Sequence, residues 1–542
     1  MNKLICCALL CIAFSACKPE LRINQDFDIP QDKALNTSQD VENALQSAYA
    51  YLRKQECFGG AWLLWPDLVS DNVVYNPNYG SFPVDYSIYN RELSPNDTLI
   101  GKSWASAYKA IGIANAVIDV SQRNSISDAD FSANKNRFLG EAHFIRGLTL
   151  FELALFFAPQ YAPETWGSPA IPVPTENYST LTYLPRKTVL ETYTQILNDL
   201  QLAASFFQAA GLVQPAKPSD KVPLSGGLEY FNRPNYHIAL AMRAKVLMQT
   251  GDDLRLEEAI SHLNQVLETR NDSVFSSNAF DIRDIGDPLK FYPNPYPLFG
   301  SDLSRITFMF ANNAQRGVPF TVESRKEYEF LFSIMNFRND DPATNTGPYF
   351  ASRYTFNRLQ AFFNGRAPYF PPLAPQTNIY RRNTDKRYAS FFTNNVNTRE
   401  VINGVPRPAC NKYNSEILNM PILRSADLLL LRSEANTRLG RHRNAIYDLM
   451  FVKYRANMAP EDTVAKYYEW EADPAKDNSF LLREIVRERR RELYLEGDRL
   501  HTLRRLRLDI PDAERGPGLP WNSEKLVFPV PAAERFANPK LN

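Results

Sequence analysis

A chain of 542 residues with 61 Lys plus Arg, 60 Asp plus Glu and a formal net charge of +1 has no sequence-wide electrostatic pull on nucleic acid or on an anionic membrane. Its composition, 44% hydrophobic and 22% charged, excludes a disordered or collagen-like chain, and its length sets a prior of roughly three to four domains or one large helical body. The 38 Pro against 22 Gly predict long, stiffened loops, and 34 Phe, 27 Tyr and 6 Trp predict large core or contact surfaces.

Residues 1–16 read as an export signal. Lys3 is a positive start, Leu4 to Phe14 is an apolar run too short to span a bilayer as a helix, and Ser15 and Ala16 are small. Phe14-Ser15-Ala16-Cys17 resembles the bacterial lipobox, which predicts that Cys17 becomes the lipid-bearing first residue and that 17–36 is a tether. No later stretch is long and apolar enough to cross a membrane, so attachment is expected to rest on lipid alone. Cys6, Cys7 and Cys11 leave with the signal. Cys57 and Cys410 remain, and a disulfide between them is left open.

The segment 37–269 is predicted to be the first helical part. A helix starts at Thr37, with Asp40 near its N-terminus and Val41, Ala44, Leu45, Ala48 and Leu52 on one face. Residues 55–100 break the pattern and read as a long aromatic loop holding Trp62, Trp65, Tyr75, Tyr79, Tyr86 and Tyr89. Helical spacing returns over Lys102–Ser121, about Ser132–Phe157 and Thr188–Phe207, with a Pro-rich loop at 158–186. Tyr236–Thr250, the stop at Gly251 and Leu256–Leu267 make one tetratricopeptide-like helix pair.

Residues 270–422 show little sustained period and read as a loop-rich, ligand-side insertion, since a loop region that long inside a compact protein is usually functional. The part 423–542 is expected to form one body with 37–269. It carries a second helix pair, Ala426–Leu439 and Arg443–Arg455 around Gly440, too divergent and too distant from the first for a simple tandem array. A last helix is predicted from about Phe480 to Arg507, followed by an irregular Pro-rich end.

Catalytic motifs fail in turn. Gly101-Lys102-Ser103 looks like the end of a phosphate loop, but Asn96 stands where its first glycine is required. His143, His237, His262, His442 and His501 are scattered singly, without zinc-helix spacing, and Asp128 and Asp130 lack the glycine of a calcium loop. The run Arg487-Glu488-Arg489-Arg490-Arg491-Glu492 alternates in sign and reads as a solvated, salt-bridged helix face. No metal or cofactor is expected.

The chain resembles the SusD/RagB family. Trp104 to Tyr108 with Ile111 and Ala114-Asn115, Glu141-Ala142 with Phe144 to Gly147, and Pro185-Arg186 with Tyr193, Ile196 and Asp199-Leu200 carry the likeness in the first half. Asp385 to Arg387, Lys412-Tyr413, Pro421 to Arg424, Ala426-Asp427, Ser433 to Ala435, Glu488-Arg489, Glu492-Leu493, Glu496-Gly497, Arg499 and Phe528-Pro529 to Asn538-Pro539 follow in family order. The resemblance implies a mostly α fold, a superhelical scaffold of tetratricopeptide-like helix pairs with long irregular loop-rich insertions. It also implies a surface lipoprotein of the outer membrane that binds a nutrient, a glycan before a peptide, and hands it to a SusC-like TonB-dependent transporter. Lys18 and Glu20 look like its surface-export signal. A glycan hydrolase using two unpaired carboxylates remains an alternative, as does a scaffold binding only protein.

Tetratricopeptide-like helices spend their apolar faces on each other, so ligand contacts are expected in the loops. The candidates are Trp62, Trp65, Tyr75, Tyr79, Tyr292 and Tyr296 for stacking, with Asp71, Asn72 and Arg91 for hydrogen bonds. Phe291, Tyr349, Tyr369 and Tyr380 belong to the same set of rings. That many of these rings only pin loops to the scaffold is the open alternative.

Overall fold

The computed structural model describes residues 35–72, 83–178, 182–213, 233–268, 330–334, 400–402, 405–407, 420–455, 467, 469–470, 473, 476–511 and 517–541. Its helices begin where short polar side chains can take up orphan backbone amides. Thr37 caps α1 (Ser38–Leu52) by accepting from Asp40 N at 3.1 Å, while the Asp40 carboxylate accepts from Thr37 N at 3.0 Å. Asp97, Asp128, Thr188 and Asn235 cap α4 (Thr98–Arg123), α5 (Ala129–Phe157), α6 (Val189–Ala209) and α7 (Tyr236–Thr250) in the same manner. Asp128 is thus a helix cap, and Gly101 to Ser103 lie inside α4. The α7 helix stops at Gly251 in a left-handed conformation, and α8 (Asp253–Glu268) returns along it.

The expected loop at 55–100 contains two helices, α2 (Ala61–Val69) and α3 (Pro83–Tyr89). All nine residues of α2 are buried. A helix apolar on every side shows no 3.6-residue period, and Pro66 inside it reads as a breaker, so it is invisible to a pattern search.

Each helix lies against the next: α1 on α4, α4 on α5, α5 on α6, α6 on α7 and α7 on α8. The next neighbour of α8 is α9 (Ser425–Arg438), which packs on α10 (His442–Arg455) and α11 (Asn478–Glu492). The two helix pairs that the sequence sets far apart are therefore consecutive in the stack. Between them in sequence, β1 (Phe330–Ile334) pairs antiparallel with β4 (Met420–Arg424), and β2 (Glu400–Ile402) with β3 (Val405–Arg407). A single buried cluster runs from Val41 to Leu541. At Gly140 on α5 a methyl group would meet the Phe207 ring at 2.8 Å, so the missing side chain lets α6 approach.

The expected long last helix is two, α11 and α12 (Arg499–Arg505), broken where Leu495 and Gly497 take φ of 61° and 77°. Arg504, fully buried on α12, donates to Leu155 O at 3.2 Å and Ala158 O at 3.3 Å. These are carbonyls at the C-terminal end of α5, where a cation meets both unpaired acceptors and the negative end of the helix dipole. The irregular end carries a short helix, α13 (Ala532–Ala537).

Candidate functional site

The turn joining α11 to α12 sits on α2. Gly497 N donates to Asp67 Oδ2 at 3.2 Å, and a methyl group at Gly497 would lie 3.1 Å from Trp62 O, so glycine is required both by φ and by this approach. Here the structure places five of the candidate ligand residues, and the side chain of each is largely buried. Trp65 has no exposed surface; it stacks on Phe528 with centroids 4.9 Å apart and meets Phe156 edge-on at 5.6 Å. Trp62 is 3% exposed, edge-on to Phe58, with Nε1 donating to Ser103 Oγ at 2.8 Å.

Asp71 accepts from Arg499 Nε at 2.7 Å and Nη2 at 3.0 Å, and faces Arg490 Nη1 at 3.2 Å. Burial alone would raise its carboxyl, but the Arg490 and Arg499 charges outweigh burial and hold it well below the usual range. Asn72 donates to Asp67 and accepts from Arg490 Nε at 2.9 Å. Arg91 is buried, with Nε donating to Val69 O at 3.0 Å. These groups fasten α2 to α11 and α12. The remaining candidates Tyr75, Tyr79, Tyr292 and Tyr296 lie outside the described residues, as do Phe291, Tyr349, Tyr369, Tyr380 and Cys410. Cys57 is a free, buried thiol.

The charge run on α11 also corrects the sequence reading. Glu488 and Glu492 have no exposed surface and Arg489 is 1% exposed. Arg489 grips Asp427 at 2.6 Å and also Asp498; Arg424 holds Glu492 at 2.9 Å and Glu496 at 2.8 Å; Arg505 holds Glu434 at 2.6 Å. Arg489, Arg490 and Glu492 find their opposites on other elements, while Arg491 pairs with Glu488 within α11 at 3.1 Å. Alternation of sign along one helix carries no trace of this, because the partners are as much as 419 residues away in sequence. Arg487, 51% exposed, keeps the solvated role expected of the whole run.

Inside this lattice is a cavity of about 80 Å³, lined by Trp62, Glu152, Lys245, Asp427, Glu496 and Asp498 among others. Lys245 Nζ lies 2.9 Å from Asp427 Oδ2. Glu152 is deep in the protein but keeps part of its surface open to the cavity, and its carboxylate has no hydrogen bond among the described residues. Burial pushes it up to about 7, against the smaller opposing pull of Lys245. His501 on the cavity wall is pushed down to about 3, chiefly by burial. Among the described cavity residues Glu152 has the acidity of a general acid at neutral pH. A second free carboxylate is lacking among the described cavity residues, because Asp427, Glu496 and Asp498 are each clasped by an arginine. The volume suits a few waters rather than a sugar ring, which asks for ~300 Å³ or more.

Among the described residues no helix is long and apolar enough to cross a membrane. The fold is thus a helical-repeat scaffold with ion pairs buried in its core. Residues 27–218 match a family model described as SusD-like, "Starch-binding associating with outer membrane", and residues 363–516 match the SusD family model. The chain belongs to the SusD/RagB family, whose members are associated with the outer membrane. Similar solved structures include a SusD superfamily protein from Bacteroides thetaiotaomicron, 18% identical over 93% of this chain and 98% of that one with a TM-score of 0.67. A SusD-like carbohydrate-binding protein from Bacteroides vulgatus is 17% identical over 94% and 98%, with a TM-score of 0.66. No curated protein matches the chain.

Proposed function

We propose that this protein is a lipoprotein anchored through Cys17 on the outer face of the outer membrane, where it binds a glycan and passes it to a SusC-like TonB-dependent transporter without cleaving it. The observation that carries this reading is the pair of SusD-family matches at 27–218 and 363–516, one of them described as starch-binding. The Bacteroides vulgatus structure described as carbohydrate-binding supports a glycan over a peptide. With Trp62 and Trp65 committed to the core, the rings left to stack on the ligand include Tyr75, Tyr79, Tyr292 and Tyr296. Titrating the full chain by calorimetry with neutral oligosaccharides, acidic oligosaccharides and short peptides tests the reading. Heat with a glycan and intact glycan afterwards supports it; heat with peptides alone, or cleaved product, overturns it.

A further inference from the structure

Away from the cavity, α13 is fastened to the extended segment that precedes α6 and to the residues that precede α4. Asn538 Nδ2 donates to Leu184 O at 2.8 Å, and Ala532 N to Pro95 O at 2.8 Å. The segment is itself pinned, with Lys187 N donating to Ile171 O at 2.9 Å and Ala170 N to Lys187 O at 2.8 Å. Arg186 and Arg535 stand within these anchors. Arg186 is partly buried and Arg535 Nε is fully buried, yet among the described residues neither guanidinium has a hydrogen bond or an ion pair. The arginines of the core lattice, by contrast, each hold a carboxylate or a carbonyl. Burial, and then the positive charge of Arg535, hold Arg186 below its usual range. Two half-sunk guanidiniums without a counter-ion repel each other and have lost part of their water, which an anion between them would repair. Exposed rings flank them: Tyr183, 41% exposed, precedes the Leu184 anchor, and Phe536, 91% exposed, follows Arg535.

We propose that Arg186 and Arg535 form a clamp for an oxyanion carried on a sugar ring, the carboxylate of a uronate or a sulfate ester, with Tyr183 and Phe536 as flanking rings. Planar guanidinium forks fit two-oxygen anions, and aromatic faces fit the apolar faces of sugars. A lipid headgroup offers the same oxyanion, but membrane recognition relies on a cluster of about four to eight cations rather than two. The proposal rests on the glycan reading and places an acidic-sugar subsite on the helical scaffold.

The native full chain, Arg186→Ala, Arg535→Ala and the double variant would be titrated by calorimetry with an oligogalacturonate and with a neutral maltooligosaccharide, and melted with and without sodium sulfate. Each arginine variant should lose on the order of tenfold in oligogalacturonate affinity, the scale of one charged hydrogen bond. Neutral binding should be unchanged. Sulfate should raise the melting temperature of the native chain more than that of the double variant, and without sulfate the variants should melt no lower, since neither arginine has a partner to lose. Equal oligogalacturonate affinity and equal sulfate shifts in native and double-variant proteins would overturn the clamp; neutral glycan binding in that case would leave the proposed function standing. Arginine-dependent sulfate stabilisation without binding of any glycan would uphold the oxyanion clamp and overturn sugar as its carrier. Arginine-dependent binding to phosphatidylglycerol vesicles without oligogalacturonate binding would reassign it to a lipid headgroup.

Discussion

Glu152 carries a carboxyl raised from 4.5 to about 7 by burial. A carboxyl raised in the folded state holds its proton more tightly there than in the unfolded chain. Its contribution to stability is therefore full below about pH 4.5 and is lost as pH rises through about 7. Glu152→Gln, which keeps the shape without the charge, should melt higher than the native chain at about pH 8, by on the order of 2 kcal/mol. The two should converge at about pH 4; equal melting temperatures at both pH values would show that the carboxyl is well solvated. Trp65 illustrates the opposite confusion. Its sequence setting, an aromatic beside a proline, is as compatible with a ligand platform as with a core anchor, and only burial separates the two. Trp65→Ala should cost about 3–5 kcal/mol of folding stability, as deletion of a fully packed ring does. Ligand affinity of the folded fraction should be unchanged. Lost binding with an unchanged melting temperature would return Trp65 to the ligand site.

At the scale of elements, the sequence revealed what is local and hid what is not. Caps at Thr37 and Thr188, the stop at Gly251 and the apolar faces of α1, α4 and α6 are short-range chemistry, and each lies where its residues indicate. The α2 helix was hidden because full burial erases periodicity, and the break after α11 because Leu495 looks like a helix former until its φ of 61° is seen. The buried ion pairs were hidden because their partners come from α9, α11, α12 and the α2 turn together. Of the candidate residues, Trp62, Trp65, Asp71 and Asn72 serve structural contacts around α2 that the sequence could not separate from ligand contacts, because the packing partners Phe528, Arg490 and Arg499 lie hundreds of residues away. The α2–α12 junction depends on Gly497. Gly497→Ala combines a strained φ with a methyl 3.1 Å from Trp62 O, and should destabilise by about 1–3 kcal/mol or more. Gly112→Ala, at a helical position with nothing within 4 Å, is the control and should be neutral or mildly stabilising. Equal melting temperatures for the two variants would remove Gly497 from this role.

At the scale of the whole molecule, the proposed lipid on Cys17 would be the attachment to the membrane. Cys17→Ala should move the protein from the membrane fraction to the soluble fraction. A processed Ala variant that stays in the membrane fraction would point to an anchor in the protein surface or to a tightly held transporter. The direct packing of α8 on α9 has a different consequence, one for the covalent continuity of the chain. The α8 helix ends at Glu268 and the helix packed on it, α9, begins at Ser425, while Asp71 of the earlier part is held by Arg490 and Arg499 of the later one. A single peptide bond cleaved in the intervening stretch, at an engineered protease site for instance, would divide the sequence but not the core. The two pieces should co-elute as one particle in size-exclusion chromatography and part only in denaturant. Co-expressed as separate chains they should find each other, which makes the scaffold a natural split protein into which a different intervening segment can be spliced.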